Sequence, residues 1–374
     1  MRTQLFAEPG TVVVKVGTNV LADARGMLDR ARIESLASQI QSIRLCGWKV
    51  ILVSSGAIGA GVGKLNLGKR PTDLPHLQAC AAVGQTALMQ VYQEALAPHG
   101  ILPAQILLTA GDFDSRVRYL NVRNTILTLF EYGSLPIINE NDTVSIAEIK
   151  FGDNDQLAAM VSNLMRAKLL VLLTNVDGLY SADPGVDRTA TLLDTVPEID
   201  ADIAGLAGAT RSNLGTGGMR SKLKAARLAT SAGSAVVMAN GSRDGILGSL
   251  FAGESVGTLF LPTTGSVPAR KRWLGLTARP KGIFTVDAGA KSAIVQNGKS
   301  LLPVGVRSVV GEFGKGELIS ICDQDGMEFA RGLSNYSWED AARIAGLNSE
   351  QMIEWLGKVA YPELIHRDNL SVMS

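Results

Sequence analysis

The sequence predicts an α/β protein with a mainly parallel sheet covered by helices on both faces, followed by a small, mostly-β domain. Two observations predict the first part: continuous apolar segments of strand length, and stretches of helical spacing between them. The composition agrees, because 46% of the 374 residues are hydrophobic, only 5% are aromatic, and glycine occurs 40 times. A chain with this apolar content can bury a sizeable core, which excludes general disorder.

Strands and helices alternate through the first 240 residues. The predicted strands are 11–16, 49–54, 102–109, 135–139, 168–174 and 234–239. The predicted helices are one around 33–43, with its apolar face at Ile33, Leu36, Ile40 and Ile43, and further ones at 75–97, 121–132, 155–167 and 218–231. Apolar strands without polar alternation are typical of a parallel sheet buried on both faces.

The pattern changes near 262–276, where Pro, Thr, Ser, Gly and basic residues replace the apolar runs. Beyond it we expect strand-like pieces at 282–287, 293–296, 318–323 and 327–333, and one short helix around 338–346. The predicted organisation is a large α/β domain over 1–261, a linker over 262–276, a small mostly-β domain over 277–355 and a C-terminal tail over 356–374.

The charge balance and the scarce cysteines exclude several functional classes. Lys and Arg number 36 against 35 Asp and Glu, so no overall field attracts nucleic acid or an anionic membrane. The three cysteines and three histidines are too scattered for a disulfide framework or a metal cluster. The first residues do not resemble a signal peptide, and the longest apolar runs are too short to span a membrane. We therefore expect a soluble, cytoplasmic protein.

Two segments near the first strands favour a bound anion. SSGAIGAGVG at 54–63 follows a predicted strand, and its glycines could expose backbone N–H groups to a phosphate. A tight turn with close packing explains the same glycines equally well. Lys15 lies in an apolar strand that opens into Gly17 and Thr18. Its side chain either reaches solvent from the strand end or faces phosphate at the carboxyl edge of the sheet, and the VKxGT pattern favours the phosphate.

Three further observations concern polar clusters. NENDTV at 139–144 and FGDND at 151–155 carry carboxylates and amides that can hold an ammonium group or orient a metal-bound phosphate. Alternatively, Asp153 or Asn154 caps the helix that begins near Asp155, and a metal site of two carboxylates stays open. LGTGGMRSK at 214–222 offers backbone donors and Lys222 to phosphates, or it is a mobile surface loop.

Together these motifs resemble a known family. VVVKVGTNVL, VSSGAIGAG, NENDTVSIAEIKFGDND, LLTNVDGLY, ADP and GTGGMRSKLKAA occur in the order and spacing of the glutamate 5-kinases, within the amino acid kinase family. The segment from GIFTVDAGAKSAI to ARGLSNY resembles the PUA domain that bacterial members often carry. The resemblance implies a three-layer αβα sandwich, the amino acid kinase fold. It also implies transfer of the γ-phosphoryl group of ATP to the side-chain carboxylate of L-glutamate, the first step toward proline.

The resemblance also implies roles for individual residues. It places Lys15, Lys222 and Asp155 in catalysis, with Asp155 positioning the two lysines. It implies that glutamate is bound by Ser55, Asp142 and Asn154. It implies that ATP is bound by Lys15, Thr174, Asn175, Thr216, Gly217, Gly218, Met219, Arg220, Ser221 and Lys222. Mg²⁺ is expected with the nucleotide and not in a separate metal site. Many relatives carry aspartate at the position of Asn175, a departure that concerns nucleotide preference.

Two alternatives remain open at this point. The first is another amino acid kinase, acting on N-acetylglutamate, aspartate, carbamate or UMP, against which NENDTV, FGDND and the PUA-like segment argue. The second is an RNA-binding protein, but residues 277–350 hold eight Lys and Arg against nine Asp and Glu. That net charge of −1 is not the basic footprint of a nucleic-acid module. The resemblance further implies a homo-oligomer, a dimer or a tetramer, and proline as a feedback inhibitor.

Overall fold

The computed structural model describes residues 2–23, 27–114, 116–145, 154–206, 218–263, 280–348, 351–352 and 362–373. The chain divides into two units, Met1–Gly265 and Ser266–Ser374. Most of the segment that we predict to be a linker lies outside the described residues. Among the described residues, no helix is both long and apolar enough to cross a bilayer.

The first unit is built on an eight-stranded sheet. Its strands are β1 (Thr11–Val16), β2 (Lys49–Ser54), β3 (Pro103–Leu108), β4 (Leu135–Glu140), β5 (Leu169–Thr174), β6 (Thr195–Val196), β7 (Ala235–Asn240) and β8 (Thr258–Phe260). They are ordered β3-β4-β2-β1-β5-β7-β8-β6. The β7–β8 pair is antiparallel and every other neighbouring pair is parallel.

Eleven described helices connect these strands. They are α1 (Arg2–Ala7), α2 (Thr18–Leu21), α3 (Arg30–Leu45), α4 (Ala57–Lys64), α5 (Leu74–Leu96), α6 (Ala110–Asp114), α7 (Arg116–Glu131), α8 (Asn154–Met165), α9 (Ala201–Gly205), α10 (Met219–Ser231) and α11 (Ile246–Phe251). Aspartate caps begin two of the long helices, α3 and α5: Asp29 accepts a hydrogen bond from Arg32 N, and Asp73 accepts one from His76 N. Such caps satisfy amide groups that a helix leaves unpaired at its start.

The two faces of the sheet are covered by different helices. Alternate residues of a strand point to opposite faces, and Val14 and Val16 of β1 share an apolar cluster with Ile33 of α3. Lys15 has the opposite parity and contacts Asp155 of α8. The unit is therefore the three-layer αβα sandwich with a mainly parallel sheet that the sequence predicts.

Gly61 and Gly84 allow α4 and α5 to cross at backbone contact. A Cβ added at Gly61 would lie 1.8 Å from the carbonyl oxygen of Cys80, and one added at Gly84 would lie 1.7 Å from that of Ala57. Both distances are far inside van der Waals contact, so neither position accepts a side chain. Gly56, just before α4, has a φ of +99°, a left-handed conformation that favours glycine. These glycines support the packing interpretation of the 54–63 segment.

The second unit contains a five-stranded sheet in the order β10-β9-β11-β12-β13. Its strands are β9 (Gly282–Val286), β10 (Val306–Val310), β11 (Leu318–Cys322), β12 (Glu328–Leu333) and β13 (Leu370–Val372), and its helices are α12 (Ala288–Val295) and α13 (Trp338–Ile344). β9 and β11 are parallel and the other neighbours are antiparallel. β13 lies within the segment that we predict to be a C-terminal tail.

The expectation of a strand-like piece at 293–296 is wrong. Residues 293–295 lie in α12, and Gln296 follows as its C-cap. Asp287 begins this helix by accepting a hydrogen bond of 2.8 Å from Ala290 N, and Ile294 is buried in the core. Neighbouring Ile and Val favour a strand in a short window, but here the cap and the burial of one helix face prevail. The unit therefore has two described helices where we expect one.

Candidate active site

Four parallel strands bring their carboxyl ends to one edge of the sheet in the first unit. The register of β1 pairs Val16 with Ser54 of β2 and with Leu173 of β5. β4 lies beyond β2, with Ile138 opposite Val53. The polar residues at or next to these four ends are Lys15, Ser55, Asn139 and Thr174. Open α/β sheets bind their ligands at this edge.

Asp155 is the centre of a buried cluster of ion pairs. Its Oδ1 lies 2.6 Å from Nζ of Lys15, and its Oδ2 lies 2.9 Å from Nζ of Lys222. The three residues belong to the start of α8, the end of β1 and the first turn of α10. Their exposed fractions are 0% for Asp155, 3% for Lys15 and 8% for Lys222. The three residues that the resemblance assigns to catalysis are thus in direct contact.

The charges in this cluster do not cancel. Each ammonium group is paired with one carboxylate oxygen, which makes the burial of both lysines tolerable. Within this described trio, two positive charges face one negative charge in surroundings that water screens poorly. A cluster of this kind favours an anion such as a phosphate at its open side.

Asn154, the residue before Asp155, holds the ends of two strands together. Its Nδ2 lies 2.7 Å from the carbonyl oxygen of Ser54, 3.0 Å from Oγ of Ser55 and 2.8 Å from Oδ1 of Asn139. An amide nitrogen has two hydrogens, so these three contacts are shared. Asn154 thereby joins the loop after β2 to the end of β4.

The two serines at the end of β2 have different surroundings. Ser54 is fully buried, and its Oγ lies 2.9 Å from the hydroxyl of Tyr92 on α5. Burial raises the pKa of Tyr92, so that hydroxyl stays neutral. Ser55 follows the strand, is half-buried and contacts Asn154. Of the two, Ser55 is therefore the serine available to a ligand, as the resemblance implies.

Asn139 is a site residue that the sequence reasoning missed. It is buried at the end of β4, and its Oδ1 accepts hydrogen bonds from Asn154 and from the backbone N–H of Glu140. Its Nδ2 is buried and finds no hydrogen-bond partner among the described residues. The NENDTV motif contains this residue as its first position, but the family resemblance implied a role only for a carboxylate of the motif, Asp142.

Asp142 lies in the turn that follows β4. The backbone N–H groups of Val144 and Ser145 both donate to the carbonyl oxygen of Asn141, which closes this turn. Glu140, at the end of the strand, is buried and accepts a hydrogen bond of 2.9 Å from Oγ of Ser145. The turn holds the half-buried Asp142 at the same edge of the sheet as Asn139. The neighbouring motif residues 151–153, including Asp153, lie outside the described residues.

On the other side of β1, the end of β5 forms a second polar region. Oγ1 of Thr174 donates to Oδ1 of Asn175 at 3.3 Å, and the side chain of Asn175 is exposed. The carbonyl oxygen of Thr174 accepts a hydrogen bond from Gly241 N, which joins β5 to the end of β7. Asn240 of β7 donates to Asp177 at 2.9 Å. Asp177 and Asn240 were not predicted, because their contact depends on strands far apart in the sequence.

The start of α10 has donors suited to a phosphate. Gly218 occupies the N-cap position without a side-chain hydrogen bond, and uncapped amides at a helix start attract anions. Oγ of Ser221 is buried and has no hydrogen-bond partner within the described residues. Met219 is half-buried and Arg220 exposed. Thr216 and Gly217, the remaining predicted residues of this loop, lie outside the described residues.

The side chains at this edge of the sheet offer few oxygen ligands to Mg²⁺. Among the described residues, no group of three or more His, Cys, Asp or Glu side chains is placed to hold a metal ion. The central carboxylate, Asp155, is already shared by two lysines. Mg²⁺ commonly keeps several waters and binds through substrate phosphates with few protein ligands. The residues present therefore fit a Mg²⁺ that arrives on phosphate oxygens.

Comparisons with known proteins match both parts of the chain to known families. The pattern of the amino acid kinase family matches residues 10–240, and that of the PUA domain matches residues 282–356. The chain is 46% identical over 373 residues to the glutamate 5-kinase of Pelobacter propionicus, covering 100% of both chains. It is 44% identical over 362 residues to the glutamate 5-kinase of Caldanaerobacter subterraneus subsp. tengcongensis, covering 97% of both chains.

A solved structure shows the same fold at low identity. Carbamate kinase from Giardia lamblia, bound to AMP-PNP, is 18% identical to this chain with a TM-score of 0.50. The match covers 69% of this chain and 100% of the other. This likeness concerns the fold alone.

Proposed function

The chain belongs to the amino acid kinase family and, within it, to the glutamate 5-kinases, and we propose that it transfers the γ-phosphoryl group of ATP to the side-chain carboxylate of L-glutamate. The products are L-glutamyl 5-phosphate and ADP. The observation that supports this chemistry best is the buried Lys15–Asp155–Lys222 cluster at the carboxyl edge of the sheet.

The acceptor requires no base for this reaction. A free glutamate side chain titrates near pH 4.3, so at neutral pH its carboxylate is already a nucleophile. Phosphoryl transfer then depends on alignment of the two reactants and on neutralisation of the charge on the transferred oxygens. The candidate site contains residues that can position the reactants and neutralise the phosphoryl charge.

Lys15 and Lys222 neutralise charge on the phosphoryl group during transfer. They come from opposite ends of the first unit, and Asp155 holds their ammonium groups on either side of one carboxylate. Because each lysine is fixed before ATP binds, little reorganisation is needed when charge develops in the transition state. Asp155 is therefore a positioning residue in this proposal.

Glutamate is held on the β2–β4 side of the cluster. The hydroxyl of Ser55 donates to its α-carboxylate, and Oδ1 of Asn154, whose Nδ2 is already shared by three acceptors, accepts a hydrogen bond from its ammonium group. Asp142 pairs with the same ammonium group. An acceptor whose amino group is acetylated lacks the charge that Asp142 requires. This favours L-glutamate over N-acetylglutamate as the acceptor.

ATP is held on the β5–α10 side of the cluster. Thr174 and Asn175 contact the nucleoside, and the loop from Thr216 to Lys222 holds the β- and γ-phosphates, assisted by Ser221 and the start of α10. When bound, Mg²⁺ supplies further positive charge to the phosphates. Mg²⁺ would be held mainly by the phosphate oxygens of the nucleotide, which Lys15, Lys222 and the hydroxyl of Ser221 would position, and the two lysines, being cations, would not be its ligands.

The wider setting forms part of the same proposal. The activity supplies an acyl phosphate for proline biosynthesis, and proline would be its feedback inhibitor. The enzyme acts in the cytoplasm as a homo-oligomer, a dimer or a tetramer.

The test is an assay of ATP consumption by the purified full chain with one acceptor at a time. The acceptors are L-glutamate, N-acetyl-L-glutamate, L-aspartate, carbamate and UMP, and a reaction without acceptor is the blank. We expect ADP release above the blank with L-glutamate and Mg²⁺, and trapping of the acyl phosphate by hydroxylamine. Faster turnover with any of the other four acceptors would refute the proposal.

A further inference from the structure

The second unit contains a cleft that none of the roles above uses. Its volume is about 810 Å³, a size that suits a small molecule. The cleft is formed by α12, the segment before β10 and the residues that precede β13. Its small and apolar walls include Gly289, Ala290, Ala293, Leu302 and Val304.

Glu363 lines this cleft and is only 9% exposed. Its backbone carbonyl accepts a hydrogen bond of 3.0 Å from Nδ2 of Asn335. Its carboxylate, however, makes no hydrogen bond or ion pair with any part of the chain that the structure describes. A carboxylate that lines a cleft without a countercharge can form an ion pair with a cation bound there. A positively charged ligand group would supply that countercharge.

Unmatched positive charges line another part of the cleft. Leu301 and Ile365 form an antiparallel bridge. This bridge places Lys299, two residues before Leu301, opposite Arg367, two residues after Ile365. Arg367 N also donates to Oγ of Ser300 at 3.0 Å. Both basic side chains are exposed, and neither forms an ion pair within the described ranges. Opposed like charges repel, and a bound anion would relieve that repulsion.

The other charged pair in the wall is already matched. Arg307 NH2 lies 2.9 Å from Oδ2 of Asp287, so this pair offers little to a charged ligand. What remains unmatched is one carboxylate, that of Glu363, and the two cations of Lys299 and Arg367.

We propose that this cleft binds a small zwitterionic molecule, whose ammonium group pairs with Glu363 and whose carboxylate or phosphate pairs with Lys299 and Arg367. A nucleobase would offer Glu363 only neutral donors and leave its charge uncompensated. Residues 277–350 of the second unit hold eight Lys and Arg against nine Asp and Glu, which is not the basic footprint of an RNA-binding module. Both observations favour a zwitterion over single-stranded RNA.

The test is isothermal titration calorimetry on the full chain. One arm uses L-amino acids other than glutamate and their dipeptides, which present a carboxylate. The other arm uses phosphoethanolamine and phosphoserine, which present a phosphate. We expect at least one probe to bind with a Kd below about 1 mM. Glu363→Gln and Lys299→Ala should each weaken that binding about tenfold or more, since each removes a charge-assisted contact.

The matched control is Glu312→Gln, which removes an exposed carboxylate of the same unit and should leave binding unchanged. The midpoint of thermal unfolding without ligand separates binding from a structural role. Glu363→Gln should leave that temperature nearly unchanged or raise it, because the carboxylate that it removes has no hydrogen-bond or ion-pair partner among the described residues. Its kcat for glutamate phosphorylation should match that of the unsubstituted chain. A failure of this inference can therefore be distinguished from a failure of the proposed function.

Three results would overturn the inference: no probe binding below about 1 mM, equal binding by Glu363→Gln, or binding of a single-stranded oligoribonucleotide only. A lower unfolding temperature for Glu363→Gln would also contradict it, because that carboxylate would then have a structural partner.

Discussion

Asn154 and Asp155 are consecutive residues at the start of α8, yet their side chains serve opposite sides of the site. The amide of Asn154 contacts Ser55 on the side of the proposed acceptor, while the carboxylate of Asp155 contacts Lys15 and Lys222 on the side of the proposed donor. Because the start of one helix carries both side chains, the position of α8 sets the geometry of the proposed acceptor side and the proposed donor side. A rotation of α8 would disturb both sides together.

Asp155→Asn should lower both activity and stability. The substitution keeps the shape but removes the carboxylate that two buried ammonium groups share, and breaking a buried ion pair typically costs about 3–5 kcal/mol of stability. Loss of the lysines' positions should reduce kcat by about 10²–10³. Steady-state kinetics and thermal unfolding measure the two effects. Asp202→Asn, at an exposed position of α9, is the control. A variant with normal kcat would remove Asp155 from the mechanism.

Lys15→Ala and Lys222→Ala should each reduce kcat far more than they change the KM for glutamate. Each variant removes one positive charge that acts on the transferred phosphoryl group, and such a loss is worth about 3–4 kcal/mol in the transition state. Lys224→Ala, on the exposed side of the same helix as Lys222, should retain full activity. Near-normal kcat in both site variants would contradict this role.

Asp142→Asn should weaken glutamate binding and leave nucleotide binding nearly intact. The variant keeps the size of the side chain but loses the charge that pairs with the substrate ammonium. The KM for glutamate and the Kd for ATP, measured by equilibrium binding, give the comparison. If the affinity for ATP falls as much as that for glutamate, the assignment of Asp142 to the acceptor is wrong.

A chain that ends near Leu261 should fold and retain glutamate-dependent phosphorylation. All the residues proposed for catalysis and for binding glutamate and ATP lie in the first unit, Met1–Gly265. Circular dichroism, ATP binding and turnover test this expectation. The decisive contrary result is a folded, soluble chain that binds ATP without turnover, because the second unit would then complete the active site.

Asp194 should contribute stability that disappears in acid. Hydrogen bonds from the hydroxyls of Ser255 and Thr195 hold the pKa of Asp194 below its usual value, with help from the charge of Arg2. A lowered pKa stabilises the fold above the ordinary value near 3.9 and ceases to do so as the pH falls through the folded value. Asp194→Asn should therefore lower the unfolding temperature at pH 7, with a gap that narrows below about pH 4. Glu254→Gln, an exposed neighbour in sequence of Ser255, is the control, and a gap independent of pH would contradict the assignment.

The sequence predicted the sheet well because its strands are continuous apolar runs. β1, β2 and β5 are found within one residue of their expected limits, since burial on both faces leaves no polar interruption. The contact between Lys15 and Asp155 could not be derived from spacing, because residues 140 positions apart meet only through the strand order. The family resemblance implied it, and the structure supplied the two distances.

Two other features of the fold could not be predicted from the periodicity of apolar residues, because they depend on contacts in three dimensions. The glycines of 54–63 suggested an anion cradle and close packing equally, and only the approach of α5 to Gly61 separates the two. The helix at 288–295 was missed because a short Ile-Val pair carries no helical period, whereas the helix begins at its cap Asp287, six residues before the predicted strand-like piece at 293–296.

The crossing of α4 and α5 at Gly61 and Gly84 also determines how this enzyme can change over generations. α4 cannot slide by a turn, because the residues one turn away from Gly61, such as Ala57 and Lys64, would bring a Cβ against the carbonyl oxygen of Cys80. Ser55 lies just before α4, so its position depends on the packing that Gly61 and Gly84 allow. Of the two segments that we propose to hold the acceptor, the turn after β4, around Asp142, is therefore freer to change by mutation than the loop at Ser55.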